Sequence, residues 1–187
     1  MKYQAEIAAA RQKRPEGVHV SCEPQVGELL YALIRLAQPG VAVELGVFLG
    51  YSSYYMLSAL AANGRGKLYA VDREDCGSGV QNAPECVFIQ GDSRAVVPGL
   101  PMMDFVFIDS DHSYNVTRAE TDLLLPKLNP GAVLVFHDAS FDGVAQVVAE
   151  LPPQFQRISL PTPVLPDRAL IRGRPSGLAV VRFAGVA

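Results

Sequence analysis

Val41-Ala42-Val43-Glu44-Leu45-Gly46-Val47-Phe48-Leu49-Gly50-Tyr51-Ser52 is the stretch that decides the fold. An apolar run ends in a carboxylate, opens into a glycine turn and gives way to a helical pattern from Tyr51 to Ala62. That reads as a buried strand, a turn tight enough to need glycine, and a helix whose first N–H groups lack partners. A dinucleotide turn requires Gly-x-Gly-x-x-Gly. Here the spacing is Gly46-x-x-x-Gly50, with Glu44 ahead of it. A carboxylate in that place repels phosphate and neutralises a cation. It suits an adenosyl ligand that carries an amino group and a sulfonium.

Outward from this turn, short apolar runs alternate with helical patterns. Strands are expected at Val41–Leu45, Lys67–Val71, Cys86–Gln90, Asp104–Ile108 and Ala132–Phe136. Helices are expected over 3–14, 23–37, 50–62, 92–98, 114–128 and 142–151. Runs such as Phe105-Val106-Phe107-Ile108 fit a parallel sheet covered on both faces. The alternation predicts a doubly wound α/β fold. Phe155–Leu160 and Gly177–Phe183 are two further strands with no helix between them, so they should pair antiparallel. The expected fold is thus a mostly parallel sheet of about seven strands closed by a terminal antiparallel hairpin.

The chain has 187 residues, 49% of them hydrophobic and 19% charged, with a net charge of −3. That is enough for one domain with a sizeable core. It also lacks the basic footprint of a duplex binder. No run of about 18 apolar residues suggests a membrane span, and no secretory signal follows Met1. Cys22, Cys76 and Cys86 form no Cys-x-x-Cys pair. They read as free thiols in a reducing cytoplasm. The basic cluster Arg11-Gln12-Lys13-Arg14 reads as a solvated face.

Ligands of open parallel sheets lie beyond the carboxyl ends of the strands. There the first strand offers Glu44 and Gly46, and the second offers Asp72, placed to accept both hydroxyls of a ribose. The third offers Asp92 and Ser93, where Asp92 is equally a helix N-cap. Ser52 sits at a helix start and suits the ligand carboxylate. The fourth strand runs into Asp109-Ser110-Asp111-His112-Ser113-Tyr114, and the fifth into His137-Asp138. The chain has three histidines, and two of them stand just past these strand ends. A carboxylate and imidazole set of this kind suits a divalent cation.

The Glu-x-Gly-x-x-x-Gly-x-Ser motif resembles the first motif of the class I S-adenosylmethionine-dependent methyltransferases. Ile-Asp-x-Asp-His-x-Tyr followed by Phe-His-Asp resembles the small metal-dependent O-methyltransferases of the catechol, sugar and natural-product type. The resemblance spans roughly residues 23–187, taken as one cofactor-binding domain behind an N-terminal helical segment, 1–22. It implies a Rossmann-like fold and S-adenosylmethionine held by Glu44, Gly46, Gly50, Ser52, Asp72, Asp92, Ser93 and Asp109. It implies a metal at Asp109, His137 and Asp138, and a general base at His112 or Asp111. Many relatives carry a carboxylate where this chain has His137. Histidine softens the site, so Mn²⁺, Fe²⁺ or Zn²⁺ stand beside Mg²⁺; alternatively, His137 is itself a base or substrate contact and no metal binds.

The activity implied is O-methylation of a small hydroxylated molecule, with no nucleic-acid or membrane partner. Fold-level analogy adds a homodimer through the N-terminal helices. The rivals are a metal-dependent hydrolase or hydroxylase on the same sheet edge, and a non-catalytic binding module. An NAD-dependent oxidoreductase fails on the glycine spacing. The loops Arg73–Pro84 and Pro161–Ser176, the latter with Arg168, Arg172 and Arg174, are expected to surround the pocket mouth.

Overall fold

A computed structural model describes residues 1–12, 22–75, 77–163 and 175–184. Lys13, Arg14, Cys76, Arg168, Arg172 and Arg174 lie outside the described residues, and with them most of the second loop. The elements in chain order are α1 (Gln4–Gln12), α2 (Pro24–Ala37), β1 (Val41–Leu45), α3 (Tyr51–Asn63), β2 (Lys67–Asp72) and β3 (Cys86–Gln90). Then follow α4 (Ser93–Val96), β4 (Met103–Ile108), α5 (Tyr114–Leu124), β5 (Leu128–His137), α6 (Asp142–Glu150), β6 (Phe155–Leu160) and β7 (Leu178–Phe183).

One sheet holds all seven strands in the order β3-β2-β1-β4-β5-β7-β6. The first five are parallel, and β7 runs antiparallel to both β5 and β6. The terminal hairpin is therefore not simply added in sequence, because β7 is inserted between β5 and β6. Two expected boundaries shift by more than a residue or two. The fifth helix ends at Leu124 and a 3₁₀ turn over Leu125–Lys127 carries Pro126. Proline has no N–H for a helix interior, and the strand starts at once, at Leu128.

The parallel strands are nearly continuous in apolar residues because both faces are covered. On one face Ala42, Leu68, Ala70, Phe105, Phe107 and Val135 pack under α1, α2 and α3. On the other, Val43, Leu45, Val71, Val106, Ile108, Leu134 and Phe136 pack with Leu124 of α5 and Val144, Val147 and Val148 of α6. The helix α3 is buried from Tyr51 to Leu60, as expected of a helix that is apolar nearly all round. At the foot of the sheet, Asp104 accepts the Gly40 and Val41 N–H groups and an Asn129 amide hydrogen, which ties the starts of β1 and β4 to the start of β5. The helix α1 lies against this body: the Tyr3 hydroxyl donates to Glu85 and its ring meets Tyr54. Among the described residues no helix is long and apolar enough to cross a membrane.

Candidate active site

The carboxyl ends of β1, β2, β4 and β5 bring the predicted polar residues to one edge. Gly46 bridges the first two strands, with its N–H donating to the Val71 carbonyl. It has φ +91°, and a Cβ there would stand 2.2 Å from the Asp109 carbonyl oxygen. Gly50, at φ +76° before α3, leaves no room for a side chain beside Val80. The turn that glycine permits is thus pressed against the loop after β4.

Glu44 is fully buried, and its two oxygens accept hydrogen bonds of 2.5 Å each from the Ser52 and Ser53 hydroxyls of α3. Burial pushes its carboxyl from the ordinary 4.5 up to about 8; the two serines pull it down, while Asp109 and Asp72 push it further up. Asp72 accepts the Val47 and Phe48 N–H groups at 2.7 and 2.8 Å and the Glu74 N–H at 3.1 Å. It holds the glycine turn in shape, and any ribose contact uses the acceptor capacity left over.

Asp92 is the N-cap of α4, accepting the Arg94 N–H, and both oxygens are engaged by the Arg94 and Arg73 guanidinium groups. Those partners hold it below the usual carboxylate range. The capping reading is what the structure displays. Ser93 turns inward and donates to Glu120 of α5.

After β4, Asp111 accepts the Ser113 N–H. The Ser113 hydroxyl first, and then this N–H, keep its carboxyl below the usual range against the effect of burial, which makes it a weak base. Ser113 occupies the N-cap position without a side-chain cap bond. His112 is different: its Nε2 lies 2.8 Å from Asp138 Oδ2, and its ring stacks on Phe141. Asp138 is 2% exposed and adopts φ +54°, an uncommon conformation for a residue with a side chain. Burial would raise its carboxyl, yet His112, His137 and the Ser176 hydroxyl together hold it well below the usual range.

His137 is also buried. Its Nδ1 lies 2.9 Å from Asp109 Oδ1 and 3.7 Å from Asp138 Oδ2, and its Nε2 lies 2.9 Å from Glu23 Oε2. Burial alone would lower its pKa, but the surrounding carboxylates, Asp109 foremost, raise it to about 10. Carboxylate oxygens facing both ring nitrogens favour the charged imidazole, in which both nitrogens donate.

Two fits follow. The ligand atoms of Asp109, His137 and Asp138 lie within 4.8 Å of one another. Nδ1 and the Asp109 oxygen, now 2.9 Å apart as hydrogen-bond partners, are close enough to turn to one ion. The donor set suits a divalent cation that displaces the Nδ1 proton. For an adenosyl ligand, Asp72 and Asp109, with the buried Glu44 between their strands, make an acidic cluster whose mutual repulsion a sulfonium and an ammonium would relieve.

Several residues of the site escape the sequence pattern. Glu23 reads only as a helix cap before Pro24. Glu120 lies on the buried stripe Thr117, Glu120, Thr121 and Leu124 of α5, and that periodicity is the signal that marks it. It accepts from Ser110 as well as Ser93, while the Thr117 hydroxyl donates to the Asp111 carbonyl. The inner face of α5 thereby fixes the loop that carries Asp109 and His112. A Cβ on Gly143 of α6 would meet the His112 carbonyl at 2.5 Å, so α6 braces the same loop from the other side.

A family model described as a methyltransferase domain matches residues 43–139. A rhamnosyl O-methyltransferase of Mycobacterium tuberculosis is 29% identical over 138 residues, covering 66% of this chain and 56% of the relative. The chain thus spans little more than half the length of that relative. A caffeoyl-CoA O-methyltransferase of Stellaria longipes is 25% identical over 167 residues, covering 81% of this chain and 67% of its own. Among solved structures, the O-methyltransferase TomG of Streptomyces achromogenes, in complex with S-adenosylmethionine, superposes with a TM-score of 0.73 at 21% identity, over 97% of this chain and 89% of that one. An O-methyltransferase from Bacillus cereus gives 0.75 at 17% identity, over 96% and 91%. The seven-stranded fold is that of the class I methyltransferases.

Proposed function

This chain belongs to the methyltransferase domain family, and from that premise we propose that it moves a methyl group from S-adenosylmethionine to a hydroxyl oxygen of a small molecule. The observation that carries the reading is the meeting of the acidic cluster at Glu44, Asp72 and Asp109 with the His112–Asp138 pair at the carboxyl ends of the strands. S-adenosylmethionine, when bound, would supply an electrophilic methyl, and a divalent ion held by Asp109, His137 and Asp138 would acidify the acceptor hydroxyl. The chain's own residues do the rest. Glu44, with Ser52, Asp72 and the Gly46–Gly50 turn, holds and orients the cationic ligand. Asp92 and Ser93 shape its adenine side through the start of α4.

His112 takes the acceptor's proton. Its Nε2 is turned to Asp138, whose carboxylate fixes the ring and stabilises the imidazolium that forms; Nδ1 is the nitrogen left for the substrate. Asp111, already committed to Ser113, is the lesser candidate. Alignment contributes as well, because holding nucleophile and methyl in line removes several kcal/mol of barrier. The body 23–187 works as one catalytic domain, with α1 as a flanking element.

The test is a calorimetric titration of the full chain with S-adenosylmethionine, using NAD⁺ as control. Binding in the micromolar range with no response to NAD⁺ is the expected result. A folded protein that ignores S-adenosylmethionine would leave only a non-catalytic module or a metal-dependent hydrolase.

Glu44 gives a second, pH-linked expectation. Its folded pKa of about 8 lies above its ordinary 4.5, so between those values the folded state binds more protons than the unfolded one. Stability in the ligand-free protein therefore falls as pH rises through this window. The gap corresponds to about 5 kcal/mol. Glu44→Gln keeps the shape without the ionisation. Urea denaturation at pH 5 and pH 8.5 should show the variant gaining on the natural protein at the higher pH. A difference independent of pH would refute the shift.

A further inference from the structure

Glu23 is a fully buried carboxylate at the start of α2, where the sequence pattern offers it no role beyond a helix cap. Although it occupies the N-cap position, its side chain makes no cap bond. Oε2 instead lies 2.9 Å from His137 Nε2, across 114 residues of chain, and Oε1 accepts the Thr162 hydroxyl at 3.3 Å. Enclosing a carboxylate is costly unless it is paired, so the fold commits this group to the imidazole.

The commitment is directional. Nε2 faces Glu23, away from the other carboxylates, while Nδ1 faces Asp109 and Asp138. An imidazole with its single proton on Nδ1 would set a bare Nε2 lone pair against the Glu23 oxygen inside the protein. The other tautomer satisfies Glu23 and leaves the Nδ1 lone pair aimed at the two aspartates. Histidine ligands of metal ions are held in the same way, by a carboxylate on the second nitrogen.

We propose that Glu23 makes His137 an Nδ1 ligand and so sets the site for a divalent ion that accepts nitrogen (Fe²⁺, Co²⁺, Ni²⁺ or Zn²⁺) in preference to Mg²⁺, whose preferred donors are oxygens. This rests on the proposed ion at Asp109, His137 and Asp138, and it deepens that reading by naming the class of ion and the residue that selects it.

The experiment is a titration of the full chain with Co²⁺, followed by visible absorption and repeated with a hundredfold excess of Mg²⁺. The natural protein should bind Co²⁺ and keep it against Mg²⁺. Glu23→Gln should bind it about 10- to 100-fold more weakly, with S-adenosylmethionine affinity unchanged as evidence of intact folding. In the Zn²⁺-loaded natural protein, ¹⁵N spectra of His137 should show Nε2 protonated and Nδ1 on the metal. This second measurement decides the matter even where the variant fails to fold.

Equal Co²⁺ affinity in Glu23→Gln, displacement by Mg²⁺, or a protonated Nδ1 in the loaded protein would overturn the role of Glu23 while leaving an ion in the site. Folded natural protein that binds S-adenosylmethionine but no Co²⁺ would overturn the ion itself, and with it this inference.

Discussion

Methyl transfer by His112→Ala is expected to fall by about 10²- to 10⁴-fold, the usual contribution of a positioned general base, while S-adenosylmethionine affinity stays within about twofold. The split follows from where His112 stands. Its Nε2 is tied to the buried Asp138 at 2.8 Å, and its ring rests on Phe141 at the entry to α6. Among the described residues it makes no hydrogen bond, ion pair or ring contact with Glu44, Asp72 or the glycine turn, so losing it should leave the residues proposed to hold the cofactor in place. Steady-state kinetics beside calorimetry on the same preparation separates the two effects. Raising the pH should recover part of the lost rate, because a more ionised acceptor needs a base less. A variant that loses cofactor affinity in step with turnover would make His112 a structural group and not the base.

Gly46→Ala should lower folding stability by about 3 kcal/mol or more, from two costs that add. The backbone sits at φ +91°, where a side chain costs about 1–2 kcal/mol. The new methyl would also lie 2.2 Å from the Asp109 carbonyl. That contact is impossible without moving the loop after β4, and overpacking of this kind costs about 1–3 kcal/mol. Gly64→Ala is the natural control. It shares a positive φ, +66°, but a Cβ there meets nothing within 4 Å, so it should show the conformational cost alone. Urea denaturation of both variants measures the difference. If the two lose the same stability, the close approach of Gly46 to Asp109 carries no energetic weight.

The sheet was legible because buried parallel strands are written as apolar runs, and the ends of those runs carry the carboxylates of the site. Strand limits at Val41–Leu45, Cys86–Gln90 and Phe155–Leu160 coincide with the structure. The insertion of β7 beside β5 was not legible, since pairing partners leave no local mark. Glu23 was hidden for the same reason: an acid before a proline at a helix start looks like an ordinary cap, and only the folded chain brings His137 to it. Asp72 and Asp92 show the converse. Their positions stand out in the sequence, yet part or all of their hydrogen-bonding capacity is spent on the protein itself.

The place of β7 bears on how the molecule is made. It leaves the ribosome after the six other strands, yet its site in the sheet is between two that are already there. Until Leu178–Phe183 arrives, β5 presents Val133–His137 as an open edge, and β6 has no neighbour to pair with. The Gly177 and Ser176 carbonyls that receive the Ala139 and Ser140 N–H groups come just ahead of it. The turn after His137-Asp138 is therefore assembled from both sides only once Ser176 and Gly177 have followed the six earlier strands. A nascent chain stalled short of Leu178 would be left with a sticky, half-built edge at the place where its chemistry belongs.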